Sequence, residues 1–347
     1  MEAALVINAT RAAQAFASDG RPAFGKIGSG PDRTEVNHSC DPVRGTRDKR
    51  FLVRRRDRSM KRNLIIVRAG NASLHPTWSV PSEERSWDLV VNYFGDDPEI
   101  YRDGDALRID SKGPKWIALL HLFENNPRFV DDYDFIWIPD DDLAIPPGAA
   151  DCFFAICRRL RLELAQPSLS LDSPATHPLL LNNSLSSIRF TNFVETMAPC
   201  FSSRCLRRVL HTFDLSQSGW GIDWLWPRFV ENRETGMGIV DDVIIRHTRP
   251  LGGPNYDSMR AKGLSPTDEL VAFRQKHKID RDRIQIHAVQ LRSGKQIAVH
   301  GPSLAFSEFL IQGYGRAFFQ SPLRLRLLKI VLGLMRRPFK IARLSTI

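Results

Sequence analysis

The run YDFIWIPDDDL, which begins at Tyr133, restricts the fold more than any other part of the chain. Phe135 to Ile138 contain no polar residue, so the segment suits a strand buried on both faces. Three aspartates follow at once. Carboxylates in succession repel one another, and holding Asp140, Asp141 and Asp142 at a strand end is costly unless a hard cation offsets the charge. With a period of two, Asp140 and Asp142 point the same way and can share a metal. The alternative use is a turn or helix cap, since aspartates ahead of LAIPPGAA can accept from free backbone N–H groups.

The surrounding pattern supplies the sheet that such a strand needs. Asn63–Arg68 (NLIIVR) and Trp87–Phe94 (WDLVVNYF) are two further buried-type strands, each followed by a loop of acids or glycines. A helix starts near Gly113, with Pro114 in its first turn, and GAADCFFAICRRL forms an amphipathic helix after the aspartates. Beyond residue 168 the spacing predicts strands in SLSLDS and SIRFTNFVE, a helix in SSRCLRRVLHTF, and an aromatic loop, SQSGWGIDWLWPRFV. The strand GMGIVDDVIIRH and the helix SPTDELVAFRQKHK complete the set. Short apolar runs alternating with helices define a single α/β domain with a mixed, mainly parallel central sheet, whose ligands belong at the carboxyl ends of its strands. The expected organisation is a basic, poorly ordered arm over 1–62, the catalytic domain over 63–285, an extension over 286–320 and a basic amphipathic tail over 321–347.

Charge distribution excludes the nucleic-acid function that a net charge of +10 invites. Residues 1–62 carry 14 Lys and Arg against 7 acids, and residues 321–347 carry 7 against none, leaving 28 basic and 32 acidic residues between them. An acidic body with basic ends does not track phosphate backbone over its folded surface, so no specific nucleic-acid partner is expected. The tail interleaves Arg324, Arg326, Lys329, Arg336, Arg337, Lys340 and Arg343 with apolar residues. That pattern fits either an amphipathic helix on an anionic membrane surface or a helix docked on the domain. The N-terminus has Glu2 and no apolar stretch, which predicts no secretory signal, a cytoplasmic location and at most peripheral contact with a membrane's inner face. Cys40, Cys152, Cys157, Cys200 and Cys205 are expected as reduced thiols rather than a zinc site.

A strand ending in D-x-D after two earlier strand–helix units resembles the nucleotide-sugar-dependent glycosyltransferases of the GT-A fold. SGWGID, Ser218 to Asp223, is similar to the Gly-Trp-Gly-x-acid loop of many inverting members, and the strand GIVDDVIIRH ends at His247. In order, RAGNASLHPTW, WDLVVNYFGDD, KGPKW, YDFIWIPDDDL, TNFVE, GWGIDW and VDDVIIRH more closely resemble an uncharacterised plant and bacterial family labelled lysine-ketoglutarate reductase trans-splicing related. The resemblance spans roughly residues 63–280. No G-x-G-x-x-G follows a strand, so that label brings no reductase chemistry with it.

What the GT-A resemblance implies is a metal-dependent transfer, expected to proceed with inversion, from a nucleoside diphosphate sugar to a glycan or lipid-linked hydroxyl. It assigns Asp140, Asp142 and His247 to Mn2+ or Mg2+ and makes Asp223 the base, although His247 alone is equally a structural strand-end histidine. Arg68, Asp96, Lys115 and Asp141 are candidates for the nucleotide, with surface ion pairs as their other use. Trp220, Gly221, Trp224 and Asp242 are candidates for substrate, while Trp226, ahead of Pro227, is expected to fill core. Asp241 and Asp242 are alternative sources of the acid. A nucleotidyltransferase would need a Gly-rich basic loop after the first strand, where AGNASLHPTW has only Gly70. A non-catalytic nucleotide- or glycan-binding protein of this fold would have lost the acids that are present here.

Overall fold

The computed structural model describes residues 63–314, apart from Ser79, 251–258, 260, 262, 264, 280–283 and 300–308. The N-terminal arm and the basic tail lie outside the described residues. Among the described residues eleven strands form: β1 (Asn63–Ala69), β2 (Trp87–Tyr93), β3 (Leu107–Asp110), β4 (Phe135–Trp137), β5 (Leu143–Ala144), β6 (Leu164–Leu169), β7 (Ser186–Thr191), β8 (Cys200–Ser202), β9 (Met237–His247), β10 (Ile286–Leu291) and β11 (Gln296–Ala298). Ten of them run in the order β11-β10-β7-β9-β6-β8-β4-β1-β2-β3, and β5 pairs with β9 off that path.

The sheet is mixed, with its parallel pairs confined to two places. The pairs β3–β2, β2–β1 and β1–β4 are parallel, as is the pair β6–β9. Short β8 runs antiparallel to both β4 and β6 and joins the two blocks. β7, β10 and β11 extend the other edge antiparallel, so the segment expected as an extension after residue 285 adds strands to the same sheet.

Burial follows from composition. Every residue of β1 and β4 is buried, as expected for apolar strands covered on both faces. The covering helices are α1 (Lys115–Asn125), α2 (Arg128–Asp131), α3 (Ala149–Leu160), α4 (Ser203–Val209), α5 (Ile222–Leu225) and α6 (Pro266–Lys276). Phe153 and Phe154 of α3 pack on Trp137 of β4, with ring centroids 5.0 and 6.2 Å away. Trp116 of α1 packs edge-on against Phe213 and Trp226, and Trp226 is fully buried, so it fills core as expected.

Cys157, Cys200 and Cys205 are free and buried. Cys152 is disulfide-bonded, which corrects the expectation of reduced thiols throughout. Among the described residues, no helix is long and apolar enough to cross a membrane.

Candidate active site

Three strands set the position of the aspartates. β1 and β4 run side by side in parallel, and a bridge between Arg68 and Asp140 prolongs their pairing. The Asp140 amide donates to Met197 O at 2.8 Å, which ties the strand end to the loop before β8. From there the three carboxylates diverge. Asp141 turns back to the loop after β1, accepting from the Gly70 amide at 2.8 Å and from Arg249 at 3.0 Å, while its carbonyl accepts from Leu74 at 2.7 Å. Both its oxygens are therefore spent on holding residues 70–74 in place, and Asp141, a candidate for the nucleotide, serves the scaffold.

His247 reaches Asp142 because β9 is bulged. Opposite β6, Pro167 pairs with Val240 but Ser168 pairs with Ile244, so the three residues Asp241 to Val243 are spliced out of register. The rest of β9 then runs antiparallel to β5, with His247 opposite Leu143. His247 Nε2 lies 3.3 Å from Asp142 Oδ2, and Nδ1 lies 2.8 Å from Pro174 O. A carbonyl only accepts, so Nδ1 carries a proton. In neutral His247 the Nε2 lone pair thus faces a carboxylate oxygen, an arrangement that calls for a proton or a cation between them. As the structure stands, burial works against the charged ring, but Asp142 and the Pro174 carbonyl outweigh it and push the His247 pKa up to about 9.

Asp142 Oδ1 is buried without a hydrogen-bond partner. A buried orphan oxygen beside an oriented imidazole is a donor set that fits Mn2+ or Mg2+. Asp140 is turned elsewhere: its Oδ1 lies 2.5 Å from Lys115 Nζ. Among the described residues no three His, Cys, Asp or Glu side chains converge as a ready-made metal cluster. The structure brings Asp142 to His247 and leaves Asp140 facing a lysine.

Lys115 Nζ also donates to Thr196 O at 2.8 Å. The same Thr196 donates its backbone N–H to Asp223, so one residue links the aspartate run to the GWGID loop. Asp223 is buried and its Oδ1 has no partner. Burial pushes its carboxyl up to about 7, against the lowering effect of the N–H groups of Thr196, Trp224 and Asp223 itself and of the Arg274 charge.

Glu195, in the loop after β7, was not among the candidates. Its amide is fixed by Gln166 Oε1 at 2.7 Å. Burial, then the charges of Asp223 and Asp140, push its carboxyl up to about 8, with His247 and Lys115 opposing. A lone acid in the run FVETM, flanked by Val194 and followed by Thr196 and Met197, was the one available signal.

Two glycines shape the GWGID loop. Gly219 (φ +77°) lies against Trp116, where a Cβ would come within 2.4 Å of Cδ1, and Gly221 (φ +98°) lies against Phe273, where it would come within 2.7 Å. Gly221 thus acts by letting α5 begin close to α6 rather than by meeting substrate. Trp224 is half-buried with Phe193 and His177 at 5.1 and 6.0 Å, and Arg274 covers its ring at 4.9 Å. Trp220 is half-buried in the same loop.

The remaining candidates lie apart from these groups. Arg68 is buried and donates to Asn92 Oδ1, Ser111 and Gly113 O at 2.6 to 3.2 Å, so it fastens the ends of β1, β2 and β3 together. Asp96 is exposed and paired with Lys112 at 2.7 Å. Asp242 is exposed on β9, 3.6 Å from Arg292. Asp241 is fully buried and holds Arg189 through two contacts of 2.7 and 2.8 Å, which removes it as an alternative base.

Residues 182–291 match the family described as Protein of unknown function (DUF707). No curated protein matches the chain in sequence. Among solved structures it is similar to GalNAc-T7, crystallised with UDP, GalNAc and Mn2+, at 9% identity and a TM-score of 0.42, over 65% of this chain and 55% of that one. It is similar to TarS of S. aureus at 11% identity and a TM-score of 0.41, over 78% and 52%, so the chain spans little more than half the length of these two proteins. Glucosyl-3-phosphoglycerate synthase from Mycobacterium tuberculosis, crystallised with Mn2+, UDP-glucose and phosphoglyceric acid, matches at 15% identity and a TM-score of 0.40, over 64% and 82%.

Proposed function

We propose that the protein is a GT-A-type glycosyltransferase that moves a sugar from a nucleoside diphosphate donor to a hydroxyl acceptor. The observation that carries this proposal is the Thr196 link. The carbonyl of Thr196 holds Lys115, which pairs with Asp140, and the N–H of Thr196 holds Asp223, so this residue joins the aspartate run to a separate buried carboxyl whose pKa lies near neutrality. Asp140, Asp142 and His247 would hold Mn2+ or Mg2+. When bound, such a cation stabilises the negative charge of the departing diphosphate.

Proton transfer falls to the chain's own residues. An acceptor hydroxyl is a weak nucleophile until a base draws off its proton, a contribution of about 10²–10⁴ in rate that is greatest when the base titrates near the working pH. Asp223 meets that condition, and its Oδ1 is free to accept. Glu195, with the higher pKa, keeps its proton at neutral pH and leaves Asp223 as the carboxyl that ionises first. With Asp223 as the base and Glu195 pushed toward its protonated form rather than poised as a nucleophile, the expected outcome is inversion. Half-buried Trp224 offers its remaining apolar surface to an acceptor sugar, one face of the ring being taken by Arg274.

The test is calorimetric titration with UDP and GDP, with and without Mn2+, on the wild type, Asp140→Ala and Asp142→Ala. We expect metal-dependent binding that both substitutions abolish, and Asp223→Asn should retain it while losing turnover on donor sugars. Absence of any metal-dependent binding of a nucleoside diphosphate would end the proposal.

A further inference from the structure

The contact between Lys115 and Asp140 has no evident structural necessity, and it occupies the oxygen that the proposed function requires. Lys115 opens α1 after Gly113 (φ +101°) and Pro114. Its ammonium is held by Asp140 Oδ1 at 2.5 Å and Thr196 O at 2.8 Å and lies 4.8 Å from the Trp116 ring centroid. The side chain is 19% exposed and that of Asp140 is 37% exposed, so the pair is open to solvent and not sealed in the core. Asp142 Oδ1, two residues on, has no such partner.

Three successive carboxylates without a bound cation need a countercharge. Arg249 pairs with Asp141 and Lys115 with Asp140, while His247 Nε2 lies against Asp142 Oδ2, so Lys115 is the cation that Asp140 has in place of a metal. An ammonium is a point charge on a flexible stem with rotatable donors, so it can change partners, whereas a guanidinium fork is tied to one geometry. A divalent cation arriving at Asp140 would repel Lys115, and a diphosphate arriving with it would attract the released ammonium.

We propose that Lys115 and a divalent cation exchange on Asp140: Lys115 holds the carboxylate before ligands bind, and on loading it pivots about Thr196 O to the donor diphosphate. The exchange rests on the glycosyltransferase proposal for its anionic ligand but not on the identity of the sugar. It makes Lys115 the origin of positive coupling between metal and nucleotide, since each ligand favours the arrangement that the other needs.

The experiment is Mn2+ binding followed by electron paramagnetic resonance, without nucleotide, on the wild type and Lys115→Met, each also in an Asp140→Asn background. UDP titrations with and without saturating Mn2+ follow. Lys115→Met is expected to bind Mn2+ at least about fivefold more tightly, the factor for one unit charge at ~4 Å even at water's dielectric constant. That gain should vanish in the Asp140→Asn background. The factor by which Mn2+ improves UDP binding should shrink about tenfold or more, as loss of one charged hydrogen bond implies.

Unchanged or weaker Mn2+ affinity in Lys115→Met, with its melting temperature intact, overturns the exchange. If that variant melts lower, Lys115→Gln, which keeps a donor toward Thr196 without the charge, decides the same comparison. UDP failing to bind to the Mn2+-loaded wild type would sink the proposed function while the Mn2+ comparison still stands. No Mn2+ binding by any variant overturns both.

Discussion

Asp223→Asn should stabilise the protein, and by an amount that depends on pH. Asp223 has a pKa raised from 3.8 to about 7 by burial, so between those values the native state binds a proton that the unfolded chain does not. Stability therefore falls as pH rises through this window, and the loss is complete above pH ~7. At ~1.4 kcal/mol per unit the penalty is about 4 kcal/mol. Asparagine cannot ionise, and its side-chain oxygen can still accept from the N–H groups of Thr196 and Trp224. Removing the charge also lowers the Glu195 pKa, because Asp223 is one of the charges that raise it.

In thermal unfolding, the variant should melt within ~1–2 °C of the wild type at about pH 4 and on the order of 10 °C above it at about pH 8. A gain of the same size at both pH values, or a lower melting temperature at about pH 8, would refute the assignment of a buried, ionising Asp223. The same substitution should abolish transfer. A residue that costs stability in the state that does the chemistry is what an active-site base, as opposed to a structural aspartate, looks like.

Two further substitutions test the frame around the crevice. Arg189→Met leaves Asp241 as an unpaired charge at 0% exposure and should cost about 3–5 kcal/mol in urea unfolding; adding Asp241→Asn should recover part of that loss, and an additive double mutant would show that the pair is not the cause. Gly219→Ala puts a Cβ at φ +77° within 2.4 Å of the Trp116 ring and should cost about 1–3 kcal/mol, read as a lower urea midpoint; a neutral result would mean the loop can move off Trp116.

The strands were legible in the sequence because their apolar runs stand between polar or turn-forming segments, and burial on both faces follows from the unbroken apolar stretches Leu64–Val67 of β1 and Phe135–Trp137 of β4. The aspartates were legible only in part. Period-two spacing put Asp140 and Asp142 on one side and singled out the outer pair, and Asp141 does face away, toward Gly70 and Arg249. Nothing local could show that Asp140 meets Lys115, 25 residues earlier. The meeting depends on where α1 starts relative to β4, which is fixed by sheet order. The bulge that delivers His247 was equally hidden, since Asp241 and Asp242 look alike in sequence, yet one is sealed against Arg189 and the other exposed.

Glu195 shows the general cause. A single acid in a loop has no local pattern, and its character comes from burial first and then from four groups, Asp223, Asp140, His247 and Lys115, supplied by four separate segments. Sequence periodicity reports which face a residue occupies within its own element. Electrostatics at a crevice is set between elements, so the residues whose protonation matters most are those for which period and propensity say least. That is why the base candidate had to come from a motif resemblance, while its raised pKa and its acidic neighbour came only from the fold.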